Sequence, residues 1–252
     1  MLKYRGILGF TLVLLLFAFQ VDCHAGAALF GAGADLAKTA TLSADEVKEL
    51  GKGTVQAMDA KNKVAPAGNA YAKRLDKIVA SLRNEAGLSL NYKVYLTSQV
   101  NAFACPDGSI RVFSGLMDMM DDDELYFVIG HEIGHVAGGD SADKMKMAYT
   151  ASGVRKAAGA AGGVVGSLSA SQLGALGEAF INAQFSQSKE YKADAYGLQL
   201  MEKNGKNQQA AVSALRKLAT PGRAPSMFDT HPEPGKRADA IAAKIGQGVG
   251  KQ

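Results

Sequence analysis

The chain has 252 residues, 47% of them hydrophobic, with a net charge of +4 and no tryptophan. That length supports one large domain, or two small ones, with a substantial core. Its positive charges are dispersed (Lys144, Lys146, Arg155, Lys156, Lys189, Lys192), without a basic block or interleaved aromatics, so no nucleic-acid partner is expected.

The N-terminus reads as a targeting segment. Lys3 and Arg5 precede an apolar run from Ile7 to Phe19, the size of a signal-peptide core and short for a membrane span. A signal peptide over residues 1–25 is expected, with cleavage after Ala25. The alternative is a lipoprotein signal ending at residue 22, with a lipid anchor on Cys23, although Gln20-Val21-Asp22 is a poor lipobox. Either route takes the mature protein out of the cytoplasm, to the periplasm, with anchoring to the outer membrane as the further option. Cys105 is then left without a partner. Residues 26–42, rich in Gly and Ala, read as a flexible spacer, and residues 43–252 as a single domain.

The spacing that follows predicts an α+β fold, mainly helical, with a small, mostly antiparallel sheet ahead of a central helix. Ser43-Ala44-Asp45-Glu46 is a capping box, and a helix runs from it to about Lys63. Pro66 breaks the pattern. Tyr71, Leu75, Ile78, Val79 and Leu82 mark a second helix ending near Gly87. Asn91 to Thr97 alternates as a strand. Asn101 to Cys105 is a second extended stretch, Pro106-Asp107-Gly108 a turn, and Ile110 to Phe113 a third strand. A short helix covers Leu116 to Met120, and a longer one Glu124 to Gly138. Residues 153–177 read as two short helices around a glycine-rich corner. A continuous helix is expected over Glu178 to Asn204, another over Gln208 to Ala219, and a closing helix over Lys236 to Ile245.

The chemistry sits on the helix from Glu124. His131-Glu132-Ile133-Gly134-His135 is an H-E-x-x-H motif, and chance would supply only about 0.002 of these in such a chain. On a helix, His131 and His135 stand one turn apart on one face, so both imidazoles can reach one metal ion. Glu132 lies beside them, where it can take a proton from a water that the metal activates. A catalytic zinc takes three protein ligands and keeps one position open. The third is another His, or a Glu on another helix. Glu190-x-x-x-Asp194 fits the second option: Glu190 ligates, and Asp194, one turn on, accepts the free N–H of a ligating His. Without the upstream motif the same pair reads as a solvated helix face.

His231, in a Pro-rich loop, fits either oxyanion stabilisation or a latch over the open position, and Arg237 is a second donor candidate. Peptide substrates of such sites add to an exposed strand edge. Asn101, Ala102, Phe103 and Ala104 form the nearest candidate strand, with Ile110 to Phe113 as the alternative.

Together, Asn101-Ala102-Phe103-Ala104, Ser114-Gly115-Leu116-Met117, Ile129 to His135, Glu190-x-x-x-Asp194 and Thr230-His231-Pro232 with Arg237 resemble, in this order, the zinc metallopeptidases related to HtpX, Oma and the CAAX prenyl proteases. The short periplasmic branch, LoiP- and BepA-like, is the most similar. The resemblance implies a gluzincin fold with one zinc per chain, held by His131, His135 and Glu190, and Glu132 as general base. It also implies cleavage of misfolded or misassembled envelope proteins, the outer-membrane assembly machinery as a candidate partner, and His231 as a cover for the zinc. Two other classes remain: a chaperone-like assembly factor that holds clients and rarely cuts, and a structural zinc protein.

Overall fold

The computed structural model describes residues 42–152, 168–220 and 230–249. The expected signal peptide, the Cys23 anchor, nearly all of the spacer, the glycine-rich corner up to residue 167 and the loop 221–229 lie outside the described residues. Leu42, assigned to the spacer, already packs into the core.

Helix α1 (Ala44–Lys61) begins at the expected capping box, where the Ser43 N–H donates to Glu46 at 2.8 Å and the Ser43 side chain accepts from the Glu46 N–H. Helix α2 (Ala70–Ile78) is capped by Asn69 and ends well before Gly87. Ala86 and Gly87 both have positive φ, 55° and 69°, which no right-handed helix accommodates.

Strands β1 (Asn91–Tyr95), β2 (Ala102–Ala104) and β3 (Ser109–Phe113) form a sheet of order β1-β3-β2. β3 runs parallel to β1, Asn91 opposite Ser109 and Tyr95 opposite Phe113, and antiparallel to β2, Ala102 opposite Val112. The fold class is as expected, but the sheet is mixed rather than mostly antiparallel. Successive strands do alternate in direction; because β3 inserts between its predecessors, the two co-directional strands become neighbours. The order also removes Ile110 to Phe113 as a substrate edge, since both ladders of a central strand are filled.

Alternation gives the sheet two buried faces. Val94, Ala102, Ala104, Ile110 and Val112 join one core cluster with Leu125, Ile129 and Ile133 of the motif helix. Tyr95, Phe103 and Phe113 join the other with Val47, Leu50, Leu176 and Phe180. Arg111 points into this second face, where Asp59 of α1 holds it with bonds at 2.8 and 3.0 Å. Lys93 and Tyr95 donate to the same carboxylate at 2.8 and 2.7 Å. A buried guanidinium needs such a partner.

After α3 (Ser114–Met119), helix α4 (Asp122–Ala137) carries the motif. It is capped by Asp121 and Glu124 in a second capping box and is buried from Glu124 through His135. Gly139, at φ 77°, turns the chain into α5 (Asp140–Ala151). Then come α6 (Ala170–Asn182), α7 (Gln187–Lys203), α8 (Gln209–Leu218) and α9 (Pro234–Val249). The helix expected over Glu178 to Asn204 is therefore two helices, broken at Ala183 to Ser186. Tertiary contacts overrule helix propensity here. The Phe185 N–H donates to the Thr230 carbonyl at 3.3 Å, the Phe185 ring is buried on His135, and the Ser186 carbonyl starts α7 by accepting from Glu190.

Helices α4 and α7 approach through glycine. A Cβ on Gly197 would stand 3.1 Å from the His131 nitrogen, and one on Gly134 3.1 Å from the Ala193 Cα. That closeness brings Glu190 and Asp194 to the two histidines. Among the described residues, no helix is long and apolar enough to cross a membrane.

Candidate active site

The two motif histidines are each held by a carboxylate on the nitrogen facing away from the other. His131 Nδ1 lies 2.9 Å from Asp194 Oδ1, and His135 Nδ1 lies 3.2 Å from Asp140 Oδ2. With Nδ1–H donated in each case, both Nε2 atoms carry lone pairs, and they face one another at 3.0 Å. Glu190 stands across from them, Oε1 at 3.3 Å from His135 Nε2 and Oε2 at 3.6 Å from His131 Nε2. His231 closes the group, with Nδ1 at 3.1 Å from Glu190 Oε1 and 3.2 Å from His131 Nε2. Ligand atoms of His131, His135, Glu190 and His231 all lie within 4.8 Å of one another, and all four residues are buried.

Converging lone pairs and a carboxylate, shut away from water, repel unless a cation lies among them. The set of imidazoles and a carboxylate suits a divalent transition metal. Glu132 completes the fit: it is buried, and its Oε1 makes no hydrogen bond among the described residues. His231 Nε2 lies 3.6 Å from that oxygen. An orphaned carboxylate oxygen beside a metal cluster is placed for a reacting molecule to meet.

The electrostatics separate the two glutamates. Burial pushes Glu132 above the usual carboxylate range. Burial pushes Glu190 the same way, but His231, His131 and His135 outweigh it and hold that carboxyl far below. Glu190 is thus held ionised, while Glu132 binds a proton more readily than an exposed carboxylate does. Burial lowers His231 to about 4, so its imidazole is neutral and able to ligate.

Arg237 is placed as a brace. Its Nε and Nη2 donate to Asp194 at 2.7 and 2.6 Å, and its Nη1 pairs with Glu190. A guanidinium so committed differs from the expected oxyanion donor, because its donors already serve the carboxylates behind the ligands. Asn101 to Ala104 lies on an outer strand of the sheet, against the motif helix. Asn101 and Cys105 pair with β3, so Ala102 and Ala104 turn their backbone groups outward. The Ala102 N–H is taken by the Asn101 side chain at 2.9 Å, and Ala102 and Ala104 are only 1% and 3% exposed.

Three residues went unassigned from sequence. Asp140 follows His135 by five positions, and the Gly138-Gly139 turn that brings it back was the available signal. Phe185 stacks on His135 at 3.8 Å between centroids and 8° between planes. Lys144 is buried, with its ammonium over the rings of Phe180 and Phe185 at 5.0 and 4.4 Å.

A buried pair of histidines one turn apart, a glutamate from a second helix and a free glutamate beside them define a metallopeptidase centre. Residues 69–245 match Peptidase family M48, and the chain belongs to that family. It is 48% identical to Metalloprotease LoiP of Escherichia coli (strain K12), over 86% of this chain and 87% of that one. Metalloprotease YcaL of the same strain is 44% identical over 86% of each chain. The Beta-barrel assembly-enhancing protease of Yersinia pestis is 29% identical over 79% of this chain and 43% of its own length.

Proposed function

We propose that this metalloprotease is a zinc endopeptidase that acts in the bacterial envelope on misfolded or misassembled proteins. The observation that carries the chemistry is the orphaned Glu132 carboxylate beside the buried His131, His135 and Glu190 ligands. The envelope assignment has two supports: the signal-like N-terminus, and the name of the Yersinia relative, which ties that protein to β-barrel assembly.

In this reading His131, His135 and Glu190 hold one zinc. Bound there, zinc supplies Lewis acidity toward the scissile carbonyl and makes water a nucleophile at neutral pH. Glu132 takes the proton from the attacking water and passes it to the leaving amine. Asp194 and Asp140 fix the ring orientation of His131 and His135, and Arg237 holds Asp194 and Glu190 in register. The substrate chain pairs with the outward groups of Ala102 and Ala104 once that edge is uncovered.

His231 serves as a latch. Its Nδ1 belongs to the ligand cluster, and its loop is tied to the α6–α7 break by the bond between Phe185 and Thr230. That closure also favours a second reading, a client-holding assembly factor that seldom cuts. The deciding experiment strips the metal with a chelator, restores zinc, and follows cleavage of an unfolded protein. Cleavage that returns with zinc supports the peptidase; in-cell function that survives Glu132→Gln favours the assembly factor.

A further inference from the structure

A cavity of about 750 Å³ opens beside the active centre, between α5 and the chain break before α7. Two of its wall residues touch the ligand His135: Phe185 by stacking and Asp140 through Nδ1. A group in this cavity therefore sits one side chain away from the reacting centre.

The wall carries three lysines, Lys144, Lys146 and Lys189, and two aspartates, Asp140 and Asp143. Lys189 takes both aspartates, at 3.1 and 2.8 Å, and Asp140 also holds His135. No carboxylate in the wall is left for the other two lysines. Lys144 is 3% exposed. It rests on Phe185, on the side opposite the stacked His135 ring, and on Phe180. Two aromatic faces hold a cation in place but are weak acceptors, so its N–H donors suit a carboxylate oxygen. Met147, 52% exposed, and the Phe185 ring give the cavity apolar surface for a methylene stem.

We propose that Lys144 is a specificity residue: the cavity takes a carboxylate of the substrate peptide, with its carbon stem on Phe185 and Met147. The shared chemistry is a carboxylate on a short aliphatic stem, supplied either by an acidic side chain near the scissile bond or by the peptide's C-terminus. The assignment rests on the peptidase reading of the adjoining centre.

The test uses the zinc-loaded protein and a set of quenched fluorescent peptides sharing one apolar core. One is neutral with an amidated end, two carry Glu on either side of the core, and one ends in a free carboxylate. The ratio of kcat/KM for the preferred carboxylate peptide over the neutral one should be about ten, the size of one hydrogen bond to a charged group. Lys144→Met should bring that ratio to about one, and Lys144→Arg should keep most of it. The Glu peptides and the free-acid peptide distinguish the two sources. A ratio of one in the unaltered protein, or a preference that survives Lys144→Met, overturns the assignment and leaves the peptidase standing. Binding of the same peptides to the Glu132→Gln protein, read by anisotropy, separates the two claims. Lys144-dependent binding without any cleavage by the unaltered protein would keep the cavity assignment and defeat the peptidase reading. Binding indifferent to Lys144 would defeat the cavity assignment. Should Lys144→Met fail to fold, Lys144→Gln carries the same comparison.

Discussion

His231 Nδ1 stands 3.1 Å from Glu190 Oε1, on the ligand side of the centre, although the two residues come from a loop and a helix 41 positions apart. The contact makes the fourth position of the cluster a protein imidazole. If that imidazole is a latch, His231→Ala uncovers the site. Basal peptidase activity should rise about tenfold if closure holds roughly nine molecules in ten. Initial rates on a quenched peptide check this; a fall in activity would assign His231 to oxyanion stabilisation instead.

Asp194 and Arg237 position His131 and Glu190 without reaching the reacting atoms. Asp194→Asn should weaken metal affinity by about 10- to 100-fold. Arg237→Met should weaken it in the same direction, because two buried carboxylates lose their counter-charge. Competition against a chromogenic chelator measures both. Unchanged zinc affinity in the two variants would remove the bracing role.

The close approach of α4 and α7 gives a third test. Gly197→Ala places a methyl about 3.1 Å from the His131 nitrogen and the Phe127 carbonyl. Backbone cannot rotate away, so the helices must separate, at a cost on the order of 1–3 kcal/mol. Thermal unfolding with and without zinc should show a lower midpoint and a smaller stabilisation by the metal. Equal stabilisation would mean that the ligand spacing does not depend on this contact.

These contacts also mark what could be read from the residues. The motif, Glu190, Asp194 and the Ser43 capping box follow rules of three- and four-residue spacing, so local order reveals them. Asp140 and Phe185 obey no such rule: one is delivered by the left-handed Gly139, the other by a break that interrupts a sequence otherwise fit for a helix. The strand order was hidden for a similar reason. Alternation reports faces, and Tyr95, Phe103 and Phe113 do share one, but it does not say which strand lies in the middle. The commitment of Arg237 to two carboxylates depends on α7 and α9, distant in sequence, meeting side by side, which no spacing encodes.

The Asp59 network predicts a pH dependence of stability away from the site. Burial pushes the Asp59 carboxyl up, but hydrogen bonds from Arg111, Lys93 and Tyr95 outweigh it and hold it below the usual range. A group that binds its proton less readily folded than unfolded stabilises the fold above its ordinary value, about pH 4. That contribution is lost as pH falls through the lower folded value. Asp59→Asn should cost about 3 kcal/mol at pH 7, where it leaves Arg111 buried and uncompensated. It should also flatten the acid limb of a urea-unfolding series between pH 7 and pH 3. An acid limb as steep as before would place the titration elsewhere.

The most direct measurement pairs metal content with turnover in Glu132→Gln. Glu132 approaches the ligand cluster but is not one of its four members. The variant should therefore retain about one zinc per chain, while cleavage of an unfolded substrate falls by about 10²- to 10⁴-fold. Full cleavage by a zinc-loaded Glu132→Gln protein would contradict the account, because the orphaned carboxylate would then have no part in the reaction.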